Sequence, residues 1–502
     1  MSGKTNPFEY STGSRRLEKP ILAVFVVILA VLATVIISRM GLIVGLLLVA
    51  LPFGFAFLTV LLRFPIIGFY TTVIFAFILL GLGRYLTSAP VGLGMDGILV
   101  LTYIALIFNQ FYEKVNWKPA FKDITLLAVL WFGYSILEIA NPEMRSMSAY
   151  IGGVRGISLY MLLTIPLALI LINTKKKLDV FFLIWGVFSI LATLKGLMQL
   201  IFGVDPWEKA WLDAGGAVTH LIFGKLRIFS FMSDAGQFGA NQAYSAVVAG
   251  ILFLSEKNRS RKIFYLVVAV LGIIGMFISG TRGAISIPLA GFMLYFILRK
   301  NKIVMITGFV LLALVFGFFK FTTIGQGNYQ IRRMRSAFDP KDASLMVRIE
   351  NQKKLSTYLI SRPMGGGIGH AGVKAQRFLP NAFLSNVATD SWYVLIWAEQ
   401  GIIGLALHLF ILFYVLFKSS YLILFRIRDP DLKQKMAALT AGMFGIMVAS
   451  YGNAVLGTLP TAILIYTSMA LMCNAKTLDT AEIITETDQS ILPLSINKSP
   501  LK

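Results

Sequence analysis

A chain of 502 residues that is 57% hydrophobic and only 14% charged, with a mean hydropathy of +0.76, departs strongly from soluble domains. Its formal net charge of +22 comes from 46 basic and 24 acidic residues, but these lie mainly between apolar runs, so the basic balance points to anionic headgroups and argues against nucleic acid. The single cysteine, Cys473, excludes a disulfide framework, and the scattered His220, His370 and His408 argue against a metal centre.

Apolar runs long enough to cross about 30 Å of hydrocarbon recur along the chain. They predict spans near 21–38, 41–62, 64–82, 94–111, 122–140, 156–173, 179–202, 238–255, 262–279, 284–298, 302–318, 392–417, 435–452 and 458–474. The fold class is an all-α polytopic membrane protein of about 12–14 transmembrane helices with one large, partly helical periplasmic loop. The first run follows Lys4, Arg15, Arg16 and Lys19, but it is too long for a signal-peptide core and lacks a small-x-small cleavage site. It reads as a retained helix.

With the N-terminus inside, the clusters at 114–122, 175–177, 257–262, 299–302 and 426–435 all fall in the cytoplasm, as the positive-inside rule requires. The organisation is then 1–318, about eleven spans with an outer loop near 203–237; 319–391, a basic periplasmic loop; 392–474, about three spans; and 475–502, a disordered cytoplasmic tail. Both termini lie inside. Short outer loops avoid Lys and Arg, but loops longer than about 60 residues escape that bias. The loop at 319–391 is free to be basic, and an anionic ligand at the membrane surface is its natural partner.

Within it, Leu345, Met346, Ile349, Leu355, Leu359 and Ile360 fit one amphipathic helix over 343–361, capped by Asp342 or Ser344. The following stretch, Pro363 to His370, holds four glycines in five residues and predicts a tight irregular turn. Arg282 ends a span in a Ser-Gly-Thr-Arg-Gly turn, where a guanidinium beside exposed backbone N–H groups suits phosphate or pyrophosphate. The alternative is a snorkelling headgroup anchor. Arg227, just before a span, has the same alternative, and Arg348 can equally be a solvated helix-face charge. All three fall on one side of the membrane.

The base candidates are Asp390, His370, Glu350 and Asp234. Asp390 precedes Ser391, Trp392 and Tyr393 where the loop re-enters the bilayer; it is either a shielded base for a sugar hydroxyl or the N-cap of the next helix. His370 has a suitable ordinary pKa, against the alternative of a surface histidine. His408 reads as a helix-packing hydrogen bonder, and Glu399 as a costly intramembrane charge marking function or a buried pair.

Residues 225–405 resemble the bacterial O-antigen polymerase and O-antigen ligase family in three blocks. These are Arg227 followed by Phe231, Ser233, Asp234, Gln237 and Gly239; then Ser279, Gly280, Thr281, Arg282, Gly283 and Ala284; then Ser344 with Arg348, the turn from Pro363 to Gly369, Asp390 to Tyr393, and Glu399 to Gly404. The resemblance implies a metal-independent, cofactor-free membrane glycosyltransferase at the outer face of the bacterial inner membrane. Its partners would be undecaprenyl-pyrophosphate-linked glycan and membrane lipids; a chain-length regulator is left open. By motif match Arg227, Arg282 and Arg348 would grip the donor pyrophosphate. Ligases carry His-Asn where this chain reads Asp390 and Ser391, which favours a polymerase with Asp390, or His370, as base. The alternatives are a ligase transferring glycan to the lipid A core and, more distantly, a transporter or flippase. The one-sided basic loop and the lack of an evident internal repeat count against the last.

Overall fold

The computed structural model describes residue 24 and residues 42–86, 91–222 and 224–490. Residues 1–64 and 65–502 form two separate compact units. The expected span at 21–38 lies outside the described residues apart from position 24; within its unit, the next one is helix α1, Leu42–Arg63.

The larger unit holds α2 (Pro65–Leu82), α3 (Gly92–Asn109), α4 (Asp123–Leu137), α5 (Met147–Leu171, with a π turn at Arg155–Leu159) and α6 (Lys175–Phe202). A non-spanning excursion follows, with α7 (Pro206–Trp211) and a two-stranded antiparallel ribbon, β1 (Leu221–Ile222) against β2 (Lys225–Leu226), Leu221 facing Leu226. Then come α8 (Ala235–Ser255), α9 (Arg259–Ile278), α10 (Ser286–Leu298) and α11 (Lys302–Phe321). The long basic loop contributes α12 (Tyr329–Arg335) and α13 (Ala343–Leu359), and α14 (Trp392–Phe425), α15 (Pro430–Ala449) and α16 (Thr461–Ser490) follow. Nine helices among the described residues are long and apolar enough to cross a membrane by length and composition.

The expected spans at 435–452 and 458–474 are helices α15 and α16, but neither meets that apolar standard. Their place in the bundle explains this. α15 is buried along most of its length, against α8 and α10 as well as α16. It trades large apolar side chains for close approach: a methyl added to Gly445 would lie 2.6 Å from the Ile287 carbonyl oxygen, and one on Gly442 2.4 Å from the Tyr244 ring. Polar side chains knit α8 to its neighbours, with Gln242 Oε1 accepting from Ser189 at 2.8 Å and Thr193 at 3.1 Å. At one end of the bundle, Asp179 accepts from Lys435 at 2.6 Å and Arg261 at 2.8 Å, bringing together three of the basic segments assigned to one side.

One boundary moves. The tail expected to be disordered from 475 continues as helix to Ser490, because its Ala-, Leu- and Glu-containing sequence carries no Gly or Pro before Pro493; residues 491–502 lie outside the described part.

α14 is broken where it matters for the site. Gly401 adopts φ 65° and ψ −167°, interrupting the helix, and the glycine-rich turn docks into the break. Gly366 N donates to the Ala398 carbonyl and Gly367 N to that of Glu399, each at 2.9 Å. A Cβ on Gly401 would stand 1.9 Å from the Pro363 carbonyl oxygen, so both backbone conformation and space demand glycine. Gly401→Ala is expected to cost more than about 2 kcal/mol, read as a large loss of the monodisperse peak in size-exclusion chromatography of detergent-extracted protein; an unchanged peak would show that the turn does not dock there.

Candidate functional site at the outer-loop end of the bundle

Each basic segment of the site is built by its own local chemistry. β2 delivers Arg227, whose backbone N–H donates to the His220 carbonyl at 2.8 Å. Its guanidinium donates from Nη1 to the Thr219 carbonyl and from Nη2 to Thr281 Oγ1, both at 3.3 Å, and Nε is buried with no hydrogen-bond partner among the described residues. Burial first, then the like charges of Arg333 and Arg282, push its pKa down, while Asp234 and Tyr329 oppose the shift.

Thr281 begins the turn after α9. Gly280 takes φ 59°, which turns its carbonyl to accept from Arg333 Nε, and Thr281 Oγ1 donates to the Ala235 carbonyl at 2.7 Å. Arg282 then reaches across to the long basic loop. Nη1 contacts Ser336 Oγ at 3.1 Å and pairs with Asp342, and Nη2 donates to Ser344 Oγ at 2.7 Å. Asp342 also caps α13, its Oδ1 accepting from the Ser344 and Leu345 N–H groups at 3.0 and 3.2 Å. Between the two capping candidates, the structure selects Asp342.

Arg348 lies one turn beyond Ser344 on α13, on the same face. Its Nε donates to Asp390 Oδ2 at 3.3 Å, and the Asp390 side chain is 55% exposed. Asp390 is not the N-cap of α14: Ser391 is, its Oγ accepting from Val394 N. The capping alternative falls because a serine one residue later reaches the free N–H. A continuous path of contacts thus runs from Arg227 through Thr281 to Arg282, and through Ser344 and α13 to Arg348 and Asp390. The loop after α15 closes its side. Gly452 lies beside Arg348, and the buried Asn453 Nδ2, without a hydrogen-bond partner among the described residues, packs against Gly283.

His370 is placed differently. It is 3% exposed; Nδ1 donates to the Ile368 carbonyl at 2.8 Å, and Nε2 accepts from the Arg145 and Ser146 N–H groups at 3.0 and 3.2 Å. Both nitrogens are thus engaged in pinning the glycine turn to the 145–146 backbone. Glu399 Oε1 accepts from Ala371 N at 3.3 Å under the same turn. Glu350 is an exposed partner of Lys354, Asp234 caps α8, and His408 Nε2 accepts from Trp392 Nε1 at 2.9 Å. No cluster of three or more metal-ligating side chains occurs among the described residues.

Two arginines were missed by reading the sequence. Arg333 shares the Arg282 turn, and its only sequence signal is a Tyr329 four residues earlier, to which Nη1 donates at 2.9 Å. Arg84 is 4% exposed, its guanidinium lying 4.5 Å from the Trp211 ring centroid and 4.3 Å from that of Phe229. It donates to the carbonyls of Ser230 and Ser233, each at 3.1 Å, and to that of Met232. Burial pushes its pKa down to about 10. It fixes the segment between Arg227 and Asp234, including Ser230 with its unfavourable φ of 55°.

Burial, joined by the charge of Arg145, pushes the His370 pKa below its ordinary value, against the pull of the Ile368 carbonyl. A depressed folded-state pKa means that the neutral ring's contribution to stability is fully present above about 6.5, the unfolded value, and is lost as pH falls through the folded one. The melting temperature in detergent should therefore drop below about pH 6.5, and His370→Gln should flatten that drop. An equally steep drop in the variant would show that this ring does not carry it.

The comparisons with known proteins enter on this geometry. A family model described as O-antigen ligase matches residues 267–409, which include the Arg282 turn, Arg348 and Asp390. A protein of Salmonella muenchen described as O-antigen polymerase is 22% identical over 348 residues, covering 66% of this chain and 84% of the relative.

Proposed function

We propose that this member of the O-antigen polymerase/ligase family is a membrane glycosyltransferase that polymerises lipid-linked oligosaccharide repeats, with undecaprenyl pyrophosphate as the donor's leaving group. The observation that carries the reading is the contact path joining Arg227, Arg282 and Arg348 at one end of the bundle, with Asp390 beside the last. A pyrophosphate leaving group needs its growing charge neutralised, and fixed guanidinium donors supply that in a site partly shielded from water. An internal carboxylate, Asp342, and the hydroxyls of Ser336 and Ser344 take the donors of Arg282. A phosphate group would exchange for that carboxylate on the same fork.

The acceptor is then the terminal sugar of another lipid-linked unit, its hydroxyl proton passing to Asp390 as the oxygen attacks the anomeric carbon and the bond to the pyrophosphate oxygen breaks. Direct in-line attack inverts that carbon. Between the two base candidates, Asp390 is exposed and His370 has both ring nitrogens engaged, which favours Asp390. The partners in this reading are the lipid-linked glycan and the membrane, with the site on the periplasmic side.

A second reading has its own support. The family match over the site is described as O-antigen ligase, so transfer to the lipid A core is the alternative. Ladders on undecaprenyl pyrophosphate in a reconstituted assay indicate polymerisation; glycan on lipid A core indicates ligation.

Arg282→Ala is expected to cut product by about two to three orders of magnitude while leaving the protein in the membrane, a loss of the size seen when one oxyanion-type donor is removed. Arg282→Lys should rescue poorly, since an ammonium cannot bridge Asp342 and Ser344, or two phosphate oxygens, as a planar fork does. Full activity of the alanine variant would reduce Arg282 to a structural anchor.

Asp390→Asn is expected to lower turnover by about two to four orders of magnitude with donor affinity nearly unchanged. If Asp390 were only the partner of Arg348, the half-exposed pair would be worth little, and the asparagine variant would keep turnover within a few-fold of the parent.

A further inference from the structure

Three consecutive residues of the turn after α9 each hold or supply a different guanidinium. The Gly280 carbonyl accepts from Arg333 Nε, Thr281 Oγ1 accepts from Arg227 Nη2 at 3.3 Å, and Arg282 brings its own. Ser336 ties the group together, its Oγ accepting from Arg282 Nη1 at 3.1 Å and donating to the Arg333 carbonyl at 2.9 Å. Of the two like charges bearing on Arg227, Arg333 is the stronger and Arg282 the weaker. The partners of Arg227 and Arg333 are all neutral: the Thr219 carbonyl and Thr281 hydroxyl for one, the Gly280 carbonyl and Tyr329 hydroxyl for the other. Donors remain unused. Among the described residues, Arg227 Nε is buried without a partner, and Arg333 Nη2 donates no hydrogen bond. Two guanidiniums pressed together with donors unspent are a site for a doubly charged oxyanion.

We infer that Arg333 and Arg227 hold the phosphate joined to the polyprenyl chain, while Arg282 and Arg348 face the phosphate joined to the sugar. The inference rests on the reading of these arginines as a pyrophosphate clamp, and it adds a residue and an orientation to that clamp. The bond that breaks lies between the sugar and its phosphate, so it sits by Asp390, beside Arg348. Along the contact path the Arg227–Arg333 pair lies beyond Arg282, at the opposite end, where the second phosphate falls. The membrane-facing surface supports the same direction. Met334, next to Arg333, is buried with Ile285 and with Phe319 at the end of α11, and Phe277 and Phe338 pack against them. Only Gly308 and Phe319 of the 20 residues of α11 are buried, and Ile306, Leu311 and Leu314 point outward as a lipid-exposed helix requires. A prenyl chain lying along α11 brings its phosphate to α12, which carries Arg333.

The test measures binding to the full-length protein in detergent with three probes: undecaprenyl pyrophosphate, undecaprenyl phosphate and phosphatidylglycerol. Both undecaprenyl probes carry the lipid-side phosphate, and only the first carries another. Arg333→Gln places an amide N–H where Nε meets the Gly280 carbonyl, so the turn stays held while the charge is removed. It is expected to weaken both undecaprenyl probes about tenfold or more, the worth of a charge-assisted contact, and phosphatidylglycerol less than about twofold. Arg348→Gln, at the other end, should weaken the pyrophosphate and leave the monophosphate within about twofold. A loss in Arg333→Gln confined to the pyrophosphate overturns the orientation, because Arg333 then meets the sugar-side phosphate. Unchanged affinity for both probes overturns the subsite, and so does an equal loss for phosphatidylglycerol, which marks a general headgroup contact. Should the glutamine variant lose its monodisperse peak, Arg333→Lys decides: affinity for both probes within about threefold of the parent supports the charge contact, and a larger loss overturns it. A parent protein that binds both undecaprenyl probes through Arg333 yet transfers no glycan keeps the subsite and ends the polymerase reading; a parent that binds neither probe ends both.

Discussion

The long basic loop depends on one side chain, Arg282, which bridges from the end of a membrane helix to the start of α13. Its partners, Asp342 and Ser344, are the cap and first turn of that helix. The same interaction therefore fixes where α13 begins and where Arg348 is presented one turn later. The other end of α13 is fixed by the glycine turn lodged in the Gly401 break of α14. Two anchors about 25 Å apart, the length of a 17-residue helix, make the loop a rigid strut. Partly buried ion pairs of this kind add little net stability, but removing one partner strands the other's charge, so they act mainly to fix geometry.

A second fixture serves Arg227. The strained Ser230 is held by Gln199, whose Oε1 accepts from its N–H at 2.8 Å, and by Arg84, which gathers the carbonyls that follow. Such strain persists only where surrounding contacts over-determine the backbone. Here they set the course of the chain between β2 and the cap of α8, and so the direction from which Arg227 approaches Thr281.

Much of this was legible in the sequence because hydropathy and turn chemistry are local signals. The apolar runs gave helices at the predicted positions throughout the described residues, and the glycine turn and the Ser279–Gly283 turn follow from residue types alone, while the cap of α13 was narrowed to Asp342 or Ser344. What was not legible depends on partners far away in sequence. Ser391 rather than Asp390 caps α14, a one-residue choice between two competent capping residues. His370 looks like a free base until Arg145 and Ser146, more than two hundred residues earlier, are seen to use its Nε2. Arg84 and Arg333 carry no motif; only the fold brings Trp211, Phe229 and the Gly280 carbonyl to them.

The choice of partners also explains how the site can stay strongly positive and still fold. Arg227 is held by a carbonyl and a threonine hydroxyl, Arg333 by a carbonyl and a tyrosine hydroxyl, and Arg84 by carbonyls and aromatic faces. Neutral acceptors orient a guanidinium without cancelling its charge. Among the described residues, carboxylates pair only with Arg282 and Arg348 in this group, and each of those carboxylates has a second task, Asp342 as a helix cap and Asp390 as the proposed base. The mutual repulsion of Arg227, Arg333 and Arg282, which lowers the Arg227 pKa together with burial, is thus a cost carried by the folded protein before any ligand arrives. In the proposed reaction, an anion bound among them relieves that repulsion, and relieves more as negative charge builds on a departing pyrophosphate. In that reading, fixed positive charge favours the transition state over the ground state, which is the condition for binding energy to appear as rate.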